Sequence, residues 1–330
     1  MTDQAAGPNI QFFGDTLDLG IIGGKAASLA RIVSAGMPVP PGFSLTSDAY
    51  WTHLRQAGLG SKISERLADF VGCDPSALTS ASSDIQAMFS ASQMPQKVAQ
   101  QTVEAYQQLA RSSDFKPTAE FGDFPVSVRS SATAEDLPGA SFAGQHDTYL
   151  NIMNKDDVLD SVVNCWSSLW SVHAMMYRNM QGIPYEDIAM PVVVQKMVYA
   201  TSAGVVFTAN PVTGNPDEIM INACWGLGEA VVSGIVTPDH IIVSKHDMAI
   251  ITSNIADKQT MIVRDGNKGT MEAPVPLAQR NTPALTETQL RQLCEASRSL
   301  ESIYGQPQDI EFSFEGDDLN ILQSRPITTL

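Results

Sequence analysis

The chain has 330 residues, of which 43% are hydrophobic and 17% charged, enough apolar material for one large two-lobed module or two domains. A formal net charge of −16 argues against a general nucleic-acid surface, but one small anionic ligand needs only a local cluster of Lys and Arg. No apolar run reaches the roughly 18 residues a membrane span needs, and Cys73, Cys165, Cys224 and Cys294 are too scattered for a CxxC framework. The start, MTDQAAGPN, lacks a basic region followed by an apolar one, so no secretory signal is expected, and reduced thiols in the cytoplasm are the default.

Residues 17–29 read LDLGIIGGKAASL: a Gly-Gly-Lys turn before a helix-like run over 26–35, with Gly36 as its C′ residue. The spacing is not a Walker A loop, because Leu19 and Ala26 replace its first glycine and its Ser/Thr. Lys25 either reaches a phosphate from near a helix N-terminus or is an exposed lysine beside a turn. The prolines of MPVPPGFSL (37–45) make that stretch stiff and extended, and Ser47 is placed to cap a helix over 50–59. Residues 61–111 are amphipathic and helical, with breaks near Pro75 and Pro95.

The stretch 126–152, VSVRSSATAEDLPGASFAGQHDTYLNI, begins and ends with two-residue alternation, so it reads as strand, loop, strand. Its small residues let backbone N–H groups approach phosphate oxygens, and Arg129 at the mouth offers a fork of donors. It is either a lid over a polyphosphate or an ordinary surface loop. A long helix capped by Asp156 or Asp157 then runs to Met180, with its tryptophans, methionines and His173 assigned to the core.

The apolar run PVVVQKMV (191–198) reads as a buried strand whose Gln195 and Lys196 need partners, a ligand among the possibilities. Strands follow at 203–208 and from Ile219 into the GLGE turn at Glu229, and a hairpin over 249–263 has its turn at DGNKG. Thr286 caps an amphipathic helix that Gly305 ends. In the terminal hairpin, Asp309, Glu311 and Ser313 alternate with Ile310, Phe312 and Phe314. A three-residue loop over Gly316 to Asp318 would set Glu311 opposite Gln323, with Arg325 two residues on. A carboxylate beside an amide oxygen suits magnesium and phosphate; the alternative is a polar outer face on an edge hairpin.

Taken together, GGKAASL, PVPPGFSLT, VSVRSSATAEDLPGASFAGQHDTYLN, YRNMQG, AGVVFTANPVTGN, CWGLGEAVVSGIVTPD and DIEFSFEGDDLNILQSRP resemble the N-terminal ATP-binding module of the dikinases. That family includes phosphoenolpyruvate synthase, pyruvate phosphate dikinase and rifampicin phosphotransferase, and the match covers nearly the whole chain. The resemblance implies an α+β, ATP-grasp fold with the nucleotide between two lobes, here placed at residues 1–190 and 191–330. It implies that Lys25, Arg129 and Arg325 contact the ATP phosphates, that Gly144 and its loop cover them with Thr148 at the far end, and that Gln195 lines the adenine side. Glu311 and Gln323 would hold Mg2+, and Glu229 would support the site. Ala203, where relatives often carry serine, lies outside these positions.

Family members phosphorylate a histidine in a Thr-Ser-His-type motif on a swivelling domain, and no such motif occurs among His53, His146, His173, His240 and His246. Three readings follow. The leading one is that the chain is the ATP-binding subunit of a split dikinase, phosphorylating a histidine on a partner for transfer to a small acceptor, foremost a phenol, in the manner of phenylphosphate synthase, with AMP and phosphate released overall. It is an excised ATP module of phosphoenolpyruvate synthase or rifampicin phosphotransferase. Or it is a non-catalytic ATP sensor, which would have lost its magnesium ligands. Neither nucleic acid nor membrane is expected as a partner.

Overall fold

The computed structural model describes residues 7–68, 75–113, 124–133, 147–266 and 268–328. Contact density divides the chain into two compact units, Met1–Ala30 with Pro41–Lys196, and Arg31–Pro40 with Met197–Leu330. The division falls after Lys196 instead of near residue 190, because the strand carrying Gln195 is the middle strand of the first unit's sheet.

The first unit contains β1 (Ile10–Phe12), α1 (Leu19–Ser34, which continues past the division), β2 (Gly42–Leu45), α2 (Ser47–Gln56), α3 (Leu59–Ala68), α4 (Pro75–Ser90) and α5 (Gln96–Ser112). They are followed by β3 (Val126–Ser130), β4 (Thr148–Ile152), α6 (Lys155–Ser168), α7 (Val172–Gln181) and β5 (Val192–Lys196). Its antiparallel sheet has the order β1-β2-β5-β3-β4. Alternation puts Phe43, Leu45, Val126, Val128, Val192 and Val194 on one face, where they join Phe89, Val162 and Trp166 of the helices in one core. The other face carries Ser44, Ser127, Arg129, Thr148 and Gln195.

Local chemistry corrects several expected boundaries. Thr46, not Ser47, caps α2, accepting from the Ala49 N–H. The expected long helix is two: Asn154 caps α6 through the N–H groups of Asp156 and Asp157, and Ser171 starts α7 afresh by accepting from Ala174. Trp166 and Trp170 are buried, but His173 and Met180 are exposed.

The second unit contains β6 (Ser202–Phe207), β7 (Glu218–Trp225), α8 (Glu229–Val232), β8 (Asp239–Ser244), β9 (Ile250–Asn254), β10 (Thr260–Arg264), β11 (Thr270–Pro274), α9 (Glu287–Tyr304), β12 (Gln308–Glu315) and β13 (Asp318–Pro326). Its six-stranded antiparallel sheet has the order β13-β12-β6-β7-β8-β9. Ile310, Phe312, Phe314, Leu319 and Ile321 share one face with Val206, Ile221 and Ile241 and pack with Leu293 and Leu300 of α9. The capping box expected at Thr286 is present: Thr286 accepts from the Gln289 N–H, and the Gln289 side chain accepts in return. The DGNKG turn joins β10 to β11, one strand later than the hairpin read from sequence. Among the described residues no helix is long and apolar enough to cross a membrane.

Candidate functional site

In the first unit the Gly-Gly-Lys turn is fastened to the end of β3. Gly23 breaks α1 with φ +76° and ψ 173°, and a Cβ there would collide with the Ser131 carbonyl oxygen. The Ser131 hydroxyl donates to the Ile22 carbonyl at 3.0 Å and accepts from the Ala26 N–H at 3.2 Å. The Gly24 N–H donates to the Ala132 carbonyl. This mesh fixes the backbone on both sides of Lys25 against the strand that carries Arg129. Lys25 lies close enough to Cys165 for its charge to oppose the upward push that burial and Asp147 give the thiol.

Arg129 pairs with Thr148 across β3 and β4 and with Val193 across β3 and β5. Gln195 pairs with Ser127, so it is the diagonal neighbour of Arg129 on the same face, about 7–8 Å away between Cα atoms by sheet geometry. Gln195 is 1% exposed. Asp147, next to Thr148, closes the far side: its carbonyl accepts from the Ser130 N–H and hydroxyl, and its carboxylate from Tyr149 at 2.8 Å. Lys25, Arg129, Thr148 and Gln195 are thereby assembled on one unit. Gly144 and His146 lie outside the described residues.

In the second unit the terminal hairpin sets Glu311 opposite Gln323, by a route the sequence did not reveal. The turn is a tight pair, Gly316 and Asp317, since Glu315 already pairs with Asp318; Gly316 takes φ +60°. Without correction that register would bring Gln323 opposite Ile310. A β-bulge at Leu322 shifts it by one, so that Glu311 meets Gln323 and Asp309 meets Arg325.

Asp309 is the site residue that sequence reasoning missed. Its Oδ2 accepts from Arg325 Nε at 2.8 Å and lies 2.8 Å from Nη2. Burial holds the Asp309 carboxyl above its ordinary range, Arg325 pulls it down and Glu311 pushes it up. The alternation that singled out Glu311 could have found it, because residues two apart on a strand share a face. Glu229 has a structural assignment: from the first turn of α8 its carboxylate accepts from the Thr270 hydroxyl at 2.9 Å, while Leu227 N–H donates to Ile262 at 2.9 Å. The glycine turn thus anchors the β10–β11 hairpin.

A half-buried carboxylate facing an amide oxygen in register, beside an arginine, is the donor set that Mg2+ and phosphate oxygens accept, so Glu311, Gln323 and Arg325 fit the implied cation and nucleotide. Among the described residues no cluster of three or more His, Cys, Asp or Glu residues could hold a metal by itself, so the fit is to a cation that shares its shell with phosphate and water.

Sequence comparison identifies the family. The model of the pyruvate phosphate dikinase AMP/ATP-binding domain matches residues 19–330. The chain belongs to that family. It is 43% identical over 313 residues to a probable phosphoenolpyruvate synthase of Methanocaldococcus jannaschii, covering 95% of this chain and 26% of that protein. It is 41% identical over 355 residues to the phosphoenolpyruvate synthase of Pyrococcus furiosus, covering 95% of this chain and 42% of that protein. The chain thus spans less than half the length of these curated relatives. A likeness to D-alanine–D-alanine ligase from Bacillus anthracis, with a TM-score of 0.26 and 7% identity, is too weak to argue from.

Proposed function

We propose that this chain is the ATP-binding part of a dikinase-type phosphotransferase with an ATP-grasp architecture. The observation that carries the reading is the bulged register of the terminal hairpin, which turns Asp309, Glu311, Gln323 and Arg325 to one face. Lys25, Arg129 and Arg325 contact the ATP phosphates, and Gln195 lines the adenine side. Glu311 and Gln323 hold Mg2+, which when bound neutralises charge on the phosphate oxygens. The side chains contribute fixed positive charge and position, not covalent chemistry. Arg325, braced by Asp309, presents its guanidinium at a set orientation. The β- and γ-phosphoryl groups pass together to a histidine carried elsewhere, in the remainder of a longer enzyme or on a partner chain, with AMP as the leaving group. Water then cleaves the bond between them to release the terminal group as phosphate and leave the β-phosphoryl group on the histidine.

For the final acceptor, the relatives named phosphoenolpyruvate synthase favour an ATP module of that enzyme, acting on pyruvate, over an aryl-phosphate-forming subunit acting on a phenol. The test is to incubate the chain with ATP and Mg2+, with and without a histidine-bearing domain from such a relative, offering pyruvate or phenol. AMP formed only with the histidine domain, and acceptor-dependent with pyruvate, supports the proposal. ADP formed by the chain alone would sink it, and AMP formation driven by phenol would restore the aryl acceptor.

A further inference from the structure

The face of the second sheet that carries Glu311 continues beyond the hairpin. Cross-strand partners run in one row from Gln323 through Glu311, Val205, Asn222 and His240 to Asn254. The intervening residues Ile310, Val206, Ile221 and Ile241 form the opposite, apolar face against α9. Glu311, Val205, Asn222 and His240 are all partly exposed. With strands about 4.8 Å apart, Asn222 lies about 10 Å from Glu311 along the sheet and His240 about 14 Å. Neither Asn222 nor His240 belongs to the phosphate and magnesium set described above.

The two side chains form one unit. His240 Nδ1 lies 2.9 Å from Asn222 Oδ1, so the ring donates its Nδ1–H there and keeps the Nε2 lone pair as an acceptor. The Asn222 amide keeps its N–H donors. An acceptor beside a donor is complementary to a hydroxyl, which gives one hydrogen bond and takes another. It does not match a phosphate oxygen, which only accepts and would face the Nε2 lone pair. Nor does it match Mg2+, which prefers oxygen ligands.

We infer that the Asn222–His240 pair binds a ribose hydroxyl of the nucleotide, making these two residues specificity determinants for the sugar. The inference rests on the reading that the Glu311 face holds Mg–ATP. The ribose is the part of ATP that carries hydroxyls, and the row extends sideways from the carboxylate over the scale of a nucleotide. The single apolar member between them, Val205, leaves that stretch of surface without a competing polar partner.

Titration calorimetry of the 330-residue chain with the Mg2+ complexes of ATP, 2′-deoxy-ATP and 3′-deoxy-ATP tests this directly. The wild type should bind at least one deoxy analogue about five- to tenfold more weakly than ATP. His240→Phe should lose a similar factor for ATP and no longer distinguish ATP from that analogue. Asn222→Ala should behave the same way and replaces His240→Phe if that variant does not fold. Discrimination retained in the folded variants, or ATP and analogues weakened equally, overturns the inference while leaving the nucleotide site standing. A wild type that binds no Mg–ATP overturns the nucleotide reading and this assignment with it.

Discussion

The two groups of candidate residues, one on each unit, are built on opposite principles. In the first unit, the segments carrying Lys25 and Arg129 are joined by hydrogen bonds between residues more than a hundred positions apart: the Ser131 hydroxyl holds the Ile22 carbonyl and the Ala26 N–H. In the second, every residue proposed for phosphate or cation lies within the hairpin Gln308–Pro326, and strand register alone decides which of those side chains meet. The first arrangement depends on a long-range mesh that leaves no room for a side chain at Gly23. The second depends on counting residues. The lesson is that the same chemical demand, fixed donors and acceptors for phosphate and cation, can be met either by tertiary locking or by local pairing, and the two should fail differently.

The largest expected effect separates chemistry from fold. Glu311→Ala and Arg129→Ala should each lower AMP formation by on the order of 10²-fold or more in the reconstituted assay, while the thermal unfolding midpoint moves by no more than a few degrees. Near-normal turnover in either would show that the half to which it belongs has been assigned wrongly. Gly23→Ala should act the other way round, through the mesh. The residue sits at positive φ against the Ser131 carbonyl, so a loss of about 4 kcal/mol of folding stability is expected from backbone strain and collision together. Denaturant unfolding checks it, and a loss under about 1 kcal/mol would mean that the turn relaxes freely.

A third probe reaches the helical layer behind the first sheet. The Ser92 hydroxyl donates to the Phe89 carbonyl at 2.7 Å and therefore accepts the His53 Nε2–H at 3.0 Å, which leaves His53 Nδ1 buried without a partner among the described residues. Burial pulls the His53 pKa down from its ordinary 6.5 to about 4. The neutral ring is favoured in the folded state, so its contribution is fully present above pH 6.5 and is lost as pH falls through about 4. That amounts to at most about 3 kcal/mol. His53→Phe should flatten this part of the stability profile relative to wild type; parallel profiles for the two proteins would exclude His53 as its source. The smallest effect is expected from the second unit: Thr286→Ala removes the capping box of α9, with a cost of about 1 kcal/mol and no change in nucleotide affinity.

The same contrast explains what could be read from the sequence. The alternation of Ile310, Phe312 and Phe314 against Asp309, Glu311 and Ser313 is a local signal, and it defines the strand and its polar face without help from any other part of the chain. The Thr286 cap and the Gly305 stop were legible for the same reason. The mesh around Ser131 was not, because nothing in GGKAASL or SSAT specifies a partner more than a hundred residues away. The break between α6 and α7 was hidden by continuous apolar periodicity, which Ser171 interrupts by capping a new helix. The tight turn and the bulge were invisible singly, because their one-residue offsets cancel: a three-residue loop predicts the same Glu311–Gln323 pairing. Asn222 and His240 were missed because they lie 18 residues apart on different strands, and only the sheet pairing makes them neighbours.

The bulge at Leu322 also makes β13 one residue longer than its pairing requires. That surplus is slack in the genetic sense. Deleting the codon for Leu322 leaves Gln323 opposite Glu311, and deleting that for Ile321 lets Leu322 take its place in the apolar row. A deletion of one codon in β12 between Asp309 and Glu311 has no such reserve and would separate Arg325 from its carboxylate. Length variation among natural or engineered versions of this hairpin should therefore accumulate on the second strand and be purged from the first.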